Sequence, residues 1–396
     1  MVAQQALAWF AFACFAAVAY SYLGYPLVLV LLAGAHQTLR DVAFVLRKVD
    51  RRRPVAANVP DVAVVIAAFN EEQHIGPRIA NTLGLDYPTE RLQLLVGSDG
   101  STDGTADTLR AVDDPRVKAW IYPSNRGKAS VLNDLVACVS APVVVFTDAN
   151  TRFDSQALRR LVAHFEDPRV GAVSGELRLA ASAGDNQDSM YWRVEQLLKN
   201  FEARLGGLLG ANGAIYAIRR ELWQDLAPDT ICDDFCVAMN IAASGYRLVY
   251  EPNAWAEEDT PLGIGDEYTR RVRIGIGNFQ ALLRHPEYLY RAGPATALTY
   301  LSHKVLRWVA PHLLLLALAC SVLLAPGSTA WSIAAALQLV GYATAVWLYR
   351  RSLARQALPA VGRLVAFLFA LNWAFLVGSW RFVTGRYRGS WQRTGR

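Results

Sequence analysis

From Ala6 to Gly34 the chain carries no Asp, Glu, Lys or Arg, a run longer than the roughly 20 residues a helix needs to cross a hydrocarbon core. In lipid such a stretch has to satisfy its backbone internally, which makes it a helix. The small residues Ala33-Gly34-Ala35 suggest a cleaved leader instead. The run is too long for a leader and has no basic residues ahead of it, so it reads as an anchor, with Pro26 placed to kink it. Three more apolar segments follow late in the chain. Trp308–Ala325 and Ser328–Tyr349 hold no acidic or basic residue except His312, and the shorter Leu364–Trp380 contains Asn372. Three in succession point to membrane helices rather than to the interior of a soluble domain. They explain a composition of 53% apolar and 19% charged residues, against roughly 45–50% and about 25% in soluble domains.

The chain therefore divides into an N-terminal transmembrane helix (residues 1–38), a basic juxtamembrane linker (39–60), a soluble domain (61–260), amphipathic helices at the membrane surface (261–298), a C-terminal transmembrane region of about three helices (299–384) and a basic tail (385–396). Arg40, Arg47, Lys48, Arg51, Arg52 and Arg53 follow the first apolar run, and nothing charged precedes it. The positive-inside rule places the N-terminus outside and the soluble domain in the cytoplasm, as expected of a multi-pass protein of the inner (plasma) membrane. The net charge of +6 is not a nucleic-acid signature, because the cluster is juxtamembrane and no recognition motif accompanies it. One conflict stands. Three crossings after a cytoplasmic domain would put the tail outside, yet Arg381, Arg386, Arg388, Arg393 and Arg396 favour the cytoplasm. A segment lying along the interface would remove it, either Leu364–Trp380 or Thr299–Trp308 with Lys304 and Arg307. Ser302–Trp308 also reads as the lining of a translocation path.

The five cysteines are scattered and imply no disulfide framework, and Cys232 and Cys236 lack the second pair a zinc site needs.

Between Asp61 and Glu258 short apolar runs alternate with helical stretches. Val62–Ala68, Leu92–Val96, Val117–Ile121 and Val143–Phe146 read as strands, with helices near Glu71–Leu83, Asp103–Ala111 and Lys128–Val139 between them. This α/β alternation predicts a mostly parallel sheet covered on both faces, whose ligands bind beyond the carboxyl ends of the strands. Those ends carry Phe69-Asn70-Glu71-Glu72, Ser98-Asp99-Gly100-Ser101-Thr102-Asp103-Gly104, Ser124-Asn125-Arg126-Gly127-Lys128 and Thr147-Asp148-Ala149-Asn150.

The combination suits a nucleotide diphosphate sugar. Glu71 and Asp99 supply acceptors for a uracil N–H and ribose hydroxyls. Lys128, opening a helix after Gly127, can meet a phosphate. Asp148 and Asn150 present two oxygen side chains at i and i+2, a spacing that suits Mg2+ or Mn2+ shared with phosphate oxygens. Asp-Gly-Ser-Thr-Asp-Gly alone is ordinary turn and capping chemistry; four such motifs at successive strand ends are not. Further on, Gly210-Ala211-Asn212-Gly213-Ala214 precedes Ile215–Ile218 and would let an acceptor pass close to the backbone. Cys232-Asp233-Asp234 heads a helix, where one carboxylate can cap it and another can serve as general base.

Ala68-Phe69-Asn70-Glu71, Ser98-Asp99-Gly100-Ser101, Gly127-Lys128, Thr147-Asp148-Ala149-Asn150, Gly210-Ala211-Asn212-Gly213 and Asp233-Asp234 occur in the order found in the inverting family-2 glycosyltransferases. Over about Asp61 to Arg273 the chain resembles their membrane-integrated branch, which contains the cellulose, hyaluronan and poly-N-acetylglucosamine synthases. The resemblance implies a GT-A (Rossmann-like) fold, with Ala68, Glu71 and Asp99 at the nucleotide, Lys128 at the donor and Asp148 as the first metal-binding aspartate. Gly210, Asn212 and Gly213 fall at the acceptor and Asp234 at the catalytic base, with Asp233 beside it. It implies single displacement from a UDP-sugar to a growing polysaccharide, with membrane lipid and accessory secretion subunits as partners. Two positions depart from the pattern. Asn150 stands where the second aspartate of the metal element belongs. Arg270-Arg271-Val272-Arg273-Ile274 keeps only the arginine, Arg273, of the processive Q-x-x-R-W element, so the aromatic platform under the acceptor sugar is missing. That loss favours transfer of one sugar to a lipid-linked or short glycan acceptor. A non-catalytic nucleotide-sugar-binding subunit would be expected to have lost Asp148 or Asp234, and both are present.

Overall fold

The computed structural model describes residues 2–47, 59–179, 187–258 and 264–387. Lys48, Arg51, Arg52, Arg53, Arg388, Arg393 and Arg396 lie outside the described residues. Helices α1 (Val2–Ala19) and α2 (Tyr25–Arg47) form one rod, interrupted by a π-helical turn at Tyr20–Gly24.

The soluble domain then opens with β1 (Val62–Ala68), α3 (Glu72–Leu83), β2 (Leu92–Asp99), α4 (Thr105–Arg110), β3 (Val117–Tyr122), α5 (Lys128–Ala137) and β4 (Val143–Phe146). All seven residues of β1 are buried, as a central strand covered on both faces requires. After β4 come β5 (Thr151–Phe153), α6 (Ala157–Val162), β6 (Val170–Leu179), α7 (Gln187–Arg204), β7 (Tyr216–Arg219), α8 (Asp233–Ala243) and β8 (Arg247–Glu258). The sheet has eight strands in the order β3-β2-β1-β4-β7-β6-β8-β5. From β3 to β4 all pairings are parallel, matching the alternation in the sequence. Beyond β4 the sheet is mixed, because β7 runs antiparallel to both β4 and β6. One apolar core lies on each face. Ile75, Ile79, Leu109 and Leu158 pack on one side, and Leu132, Leu135, Val237 and Ile241 on the other.

The remaining helices are α9 (Ile264–Arg284), α10 (Pro294–Thr299), α11 (Leu306–Leu324), α12 (Thr329–Leu353) and α13 (Ala360–Val383). A second π-helical turn, Tyr300–Val305, joins α10 to α11. Four helical segments among the described residues are long and apolar enough to cross a membrane: Val2–Leu46, Pro294–Gly327, Thr329–Leu353 and Ala360–Val383.

The last of these packs along α9. The Arg271 guanidinium sits 4.4 Å from the Phe367 ring centroid. Backbone meets backbone where α9 crosses α13, and a Cβ on Gly378 would stand 2.8 Å from the carbonyl carbon of Gly275. Past the end of α13, the Tyr387 hydroxyl donates to Asp229 (3.2 Å) in the soluble domain and accepts from Arg284 (3.1 Å).

Candidate active site

The rim is assembled from loops that hold one another. Asn70, in a left-handed conformation (φ 56°), accepts a hydrogen bond from the Thr102 amide at 2.8 Å. The Glu71 amide donates to Thr105 Oγ1, also at 2.8 Å. Gly100 is required by close approach as well as by its φ of +67°, since a Cβ there would lie 2.4 Å from the Asn125 nitrogen.

Asp99, predicted at the nucleotide, is fully buried. Its two oxygens accept from the backbone amides of Arg126 (2.8 Å) and Gly127 (2.9 Å). These two bonds brace the turn that leads into Lys128. Ala68 is sealed in the core too, whereas Glu71 is half-buried at the surface of the rim.

Lys128 is the centre of the site. Its ammonium lies 3.0 Å from Asp148 Oδ1 and 3.2 Å from Asp233 Oδ2. Burial works against the charge, but Asp148, Asp233 and Asp234 outweigh it and hold the pKa above the ordinary lysine value. Asp234 is oriented by backbone amides: Gly213 N–H donates to Oδ2 and Phe235 N–H to Oδ1, each at 2.8 Å. Burial, then the charge of Asp233, push its pKa up to about 6, while Lys128 and the two amides act the other way. That is the range a general base needs near neutral pH.

The Gly210–Gly213 loop is thus tied to the Asp234 carboxylate. Gly210 packs on the Phe235 ring and the Asn212 amide donates to Ser174 Oγ at 3.1 Å. Arg273 is exposed on α9, and its charge acts on the Cys232 thiol, immediately before Asp233. The residue after it, Ile274, offers no aromatic surface.

Asp148 keeps a third of its side chain exposed, at 35%, while Asn150 donates its amide to Glu258 Oε1 at 2.9 Å and leaves its own oxygen uncommitted. Among the described residues no three His, Cys, Asp or Glu side chains form a ready-made metal cage. One open carboxylate and one amide oxygen fit Mg2+ or Mn2+, which bind through few protein groups together with substrate phosphates.

Sequence reasoning missed two residues here. Tyr216 pairs with Phe146 across the antiparallel register, which sets it beside Asp148. Among the described residues its buried hydroxyl has no hydrogen-bond partner, and burial together with Asp233, Asp234 and Asp148 raises its pKa. Arg78 is buried under the rim, 4.2 Å from the Phe153 ring centroid. Burial lowers its pKa to about 9, against the charge of Asp148. Only the β4–β7 pairing could have found Tyr216, and nothing in the pattern of α3 marks Arg78.

Residues 63–226 match the family model described as Glycosyl transferase family 2. They form a family 2 glycosyltransferase domain. The poly-beta-1,6-N-acetyl-D-glucosamine synthase of Staphylococcus aureus (strain COL) is 28% identical over 231 residues, 56% of this chain and 56% of that protein. The Staphylococcus epidermidis synthase of the same name is 26% identical over 234 residues, 57% of this chain and 56% of its own. The chain thus spans just over half the length of these curated relatives. A solved structure, the mannosyltransferase PcManGT from Pyrobaculum calidifontis in complex with GDP-Man and Mn2+, superposes with a TM-score of 0.70 at 23% identity, covering 96% of this chain and 100% of that one. That likeness is one of fold, a GT-A glycosyltransferase domain joined to helices of membrane-spanning length.

Proposed function

We propose that this chain is a membrane glycosyltransferase that moves a sugar, with inversion, from a UDP-sugar to a growing cell-surface polysaccharide. The observation that carries the reading is that Asp148, on the donor side, and Asp233-Asp234, on the acceptor side, converge on the single ammonium of Lys128.

In this reading Glu71 contacts the nucleotide and Asp99 acts through the loop it braces. Lys128 meets a donor phosphate when a ligand displaces its carboxylate partners. Asp148 and Asn150 would hold Mg2+ or Mn2+, which supplies charge stabilisation to the departing diphosphate. Asp234, held by the Gly213 and Phe235 amides, takes the proton of the acceptor hydroxyl, and that oxygen forms the new bond at the anomeric carbon as the bond to UDP breaks. Arg273 adds positive charge on the diphosphate side, and Gly210, Asn212 and Gly213 border the acceptor. Incubating the full-length protein in membranes with a panel of nucleotide sugars tests the reading. UDP release that disappears in Asp234→Asn supports it, and no release from any common donor overturns it.

A second reading, addition of one sugar to a lipid-linked or short glycan acceptor, is favoured by the exposed Arg273-Ile274 pair, which leaves no aromatic platform for a sliding polymer. Product length separates the two readings.

Helix α9 is too polar to cross lipid, with Arg270, Arg271, Arg273, Asn278 and Gln280 along it. Helix α13 runs beside it and Tyr387, just beyond its end, meets Asp229, which supports a membrane arrangement with α13 along the cytoplasmic surface. The crossings are then the α1–α2 rod, α11 and α12, with the tail in the cytoplasm, as its arginines favour.

A further inference from the structure

Away from Lys128, a second group of charges is buried where α7 meets the π-helical turn before α11. Glu195 bonds Arg307 Nη1 (2.5 Å) and His303 Nε2 (3.1 Å). Glu202 bonds His303 Nδ1 (2.5 Å) and the Tyr25 hydroxyl (2.9 Å). Each ring nitrogen of His303 is thus engaged by a glutamate, and the three side chains form one buried frame. On the same face of α7, one turn from each glutamate, stands Lys199. It is half-buried and has no hydrogen-bond or ion-pair partner among the described residues. Among the described residues Lys304 has only a long contact to Glu195, at 4.0 Å.

Lys199 and Lys304 therefore stand side by side next to carboxylates already engaged by His303 and Arg307. Two half-buried ammonium groups with so little direct pairing are costly unless an anion joins them. Burial and the Lys304 charge both lower the Lys199 pKa. The place is tied to the reaction: the charge of Asp234 acts on both Lys128 and Lys199, and the Phe235 ring packs tilted against Tyr300, 5.7 Å between centroids, in the same π-helical turn. It is also tied to the membrane, since Lys304 belongs to the apolar segment Pro294–Gly327 and the Tyr20 hydroxyl, in the facing π-helical turn, meets Ser302 Oγ at 3.0 Å.

We infer that Lys199 and Lys304 form a subsite for a phosphate carried by a membrane-anchored acceptor, with Glu195, Glu202 and His303 as the frame that holds the two lysines there. This rests on the glycosyltransferase reading. The donor diphosphate is accounted for at Lys128, whereas a lipid phosphate at this depth would hold the acceptor's sugar toward Asp234. A polymer begun on such an anchor and a single addition would use the site alike.

The test uses full-length protein in detergent with two acceptors bearing the same sugar, one on a short-chain polyprenyl phosphate and one on an uncharged alkyl chain. The wild type is expected to prefer the phosphate-bearing acceptor. Lys199→Met and Lys304→Met should each raise its KM about tenfold, the scale of one lost charge-assisted contact, leaving the donor KM and turnover of the alkyl acceptor within about twofold. Equal use of both acceptors by the wild type, or equal loss of both in the variants, overturns the proposal. Competition by phosphatidylglycerol vesicles or inorganic phosphate, without preference for the phosphate-bearing acceptor, also overturns it and assigns the lysines to bulk lipid or free anion. Direct binding of the polyprenyl phosphate without donor separates this site from the reaction: binding that weakens in the variants supports the subsite even where no donor is turned over, and unchanged binding sinks it.

Discussion

Lys128 and Asp148 form an ion pair at 3.0 Å between the start of one helix and the end of a neighbouring strand. A donor and its cation would have to break that pair. In the proposed reaction Lys128 would hold the metal-side carboxylate in position before the donor arrives, and its second bond, to Asp233, would tie the acceptor side to the same point.

Chelation should therefore abolish transfer, and Mg2+ or Mn2+ should restore it. Asp148→Ala is expected to cost at least about a hundredfold in kcat, as for other charge-stabilising groups at a reacting centre. Metal-dependent UDP release is the readout, and full activity in excess chelator would contradict the assignment.

Asp234→Asn keeps the shape of the side chain and the hydrogen-bonding capacity of one oxygen but cannot take a proton. Transfer should fall by about 10²–10⁴, with donor binding by calorimetry retained. A change in KM alone would move the base elsewhere.

The pH profile carries a sign. Asp234 acts as a carboxylate, and its pKa is raised to about 6, so the active form is lost as pH falls through that value. The acid limb of kcat/KM should have unit slope and a midpoint near 6, well above that of an ordinary exposed aspartate. A midpoint near 4 would mean that burial and Asp233 do not act on the base as described.

Gly275 and Gly378 allow α9 and α13 to touch. Gly378→Leu should destabilise the protein by about 1–3 kcal/mol, the usual range for overpacking. Gly341→Leu on α12, where nothing lies within 4 Å of the added Cβ, should be close to neutral. Thermal unfolding of the two variants in one detergent makes the comparison.

The proposed surface position of α13 predicts that both ends of that helix, and the tail beyond Tyr387, share a side with the soluble domain. Fusions of a cytoplasm-active fluorescent reporter and a periplasm-active phosphatase to the C-terminus decide this. Phosphatase activity there would make α13 a crossing.

The alternating pattern of residues 62–146, the apolar runs and the four polar strand ends are local properties, and local sequence determined them: a buried parallel strand has to be continuously apolar, and polar groups collect where it ends. Asp148, Asp234 and Lys128 were legible for that reason. Tertiary structure alone decided what those groups touch. Asp99 turned inward because the amides of Arg126 and Gly127 have to be satisfied at that depth. Tyr216 reached Asp148 through an antiparallel pairing that no short-range pattern encodes. Helix α13 is apolar enough to cross a bilayer, and that much hydropathy records; that it packs along α9 was decided by two glycines, far apart in the chain, which let the backbones meet.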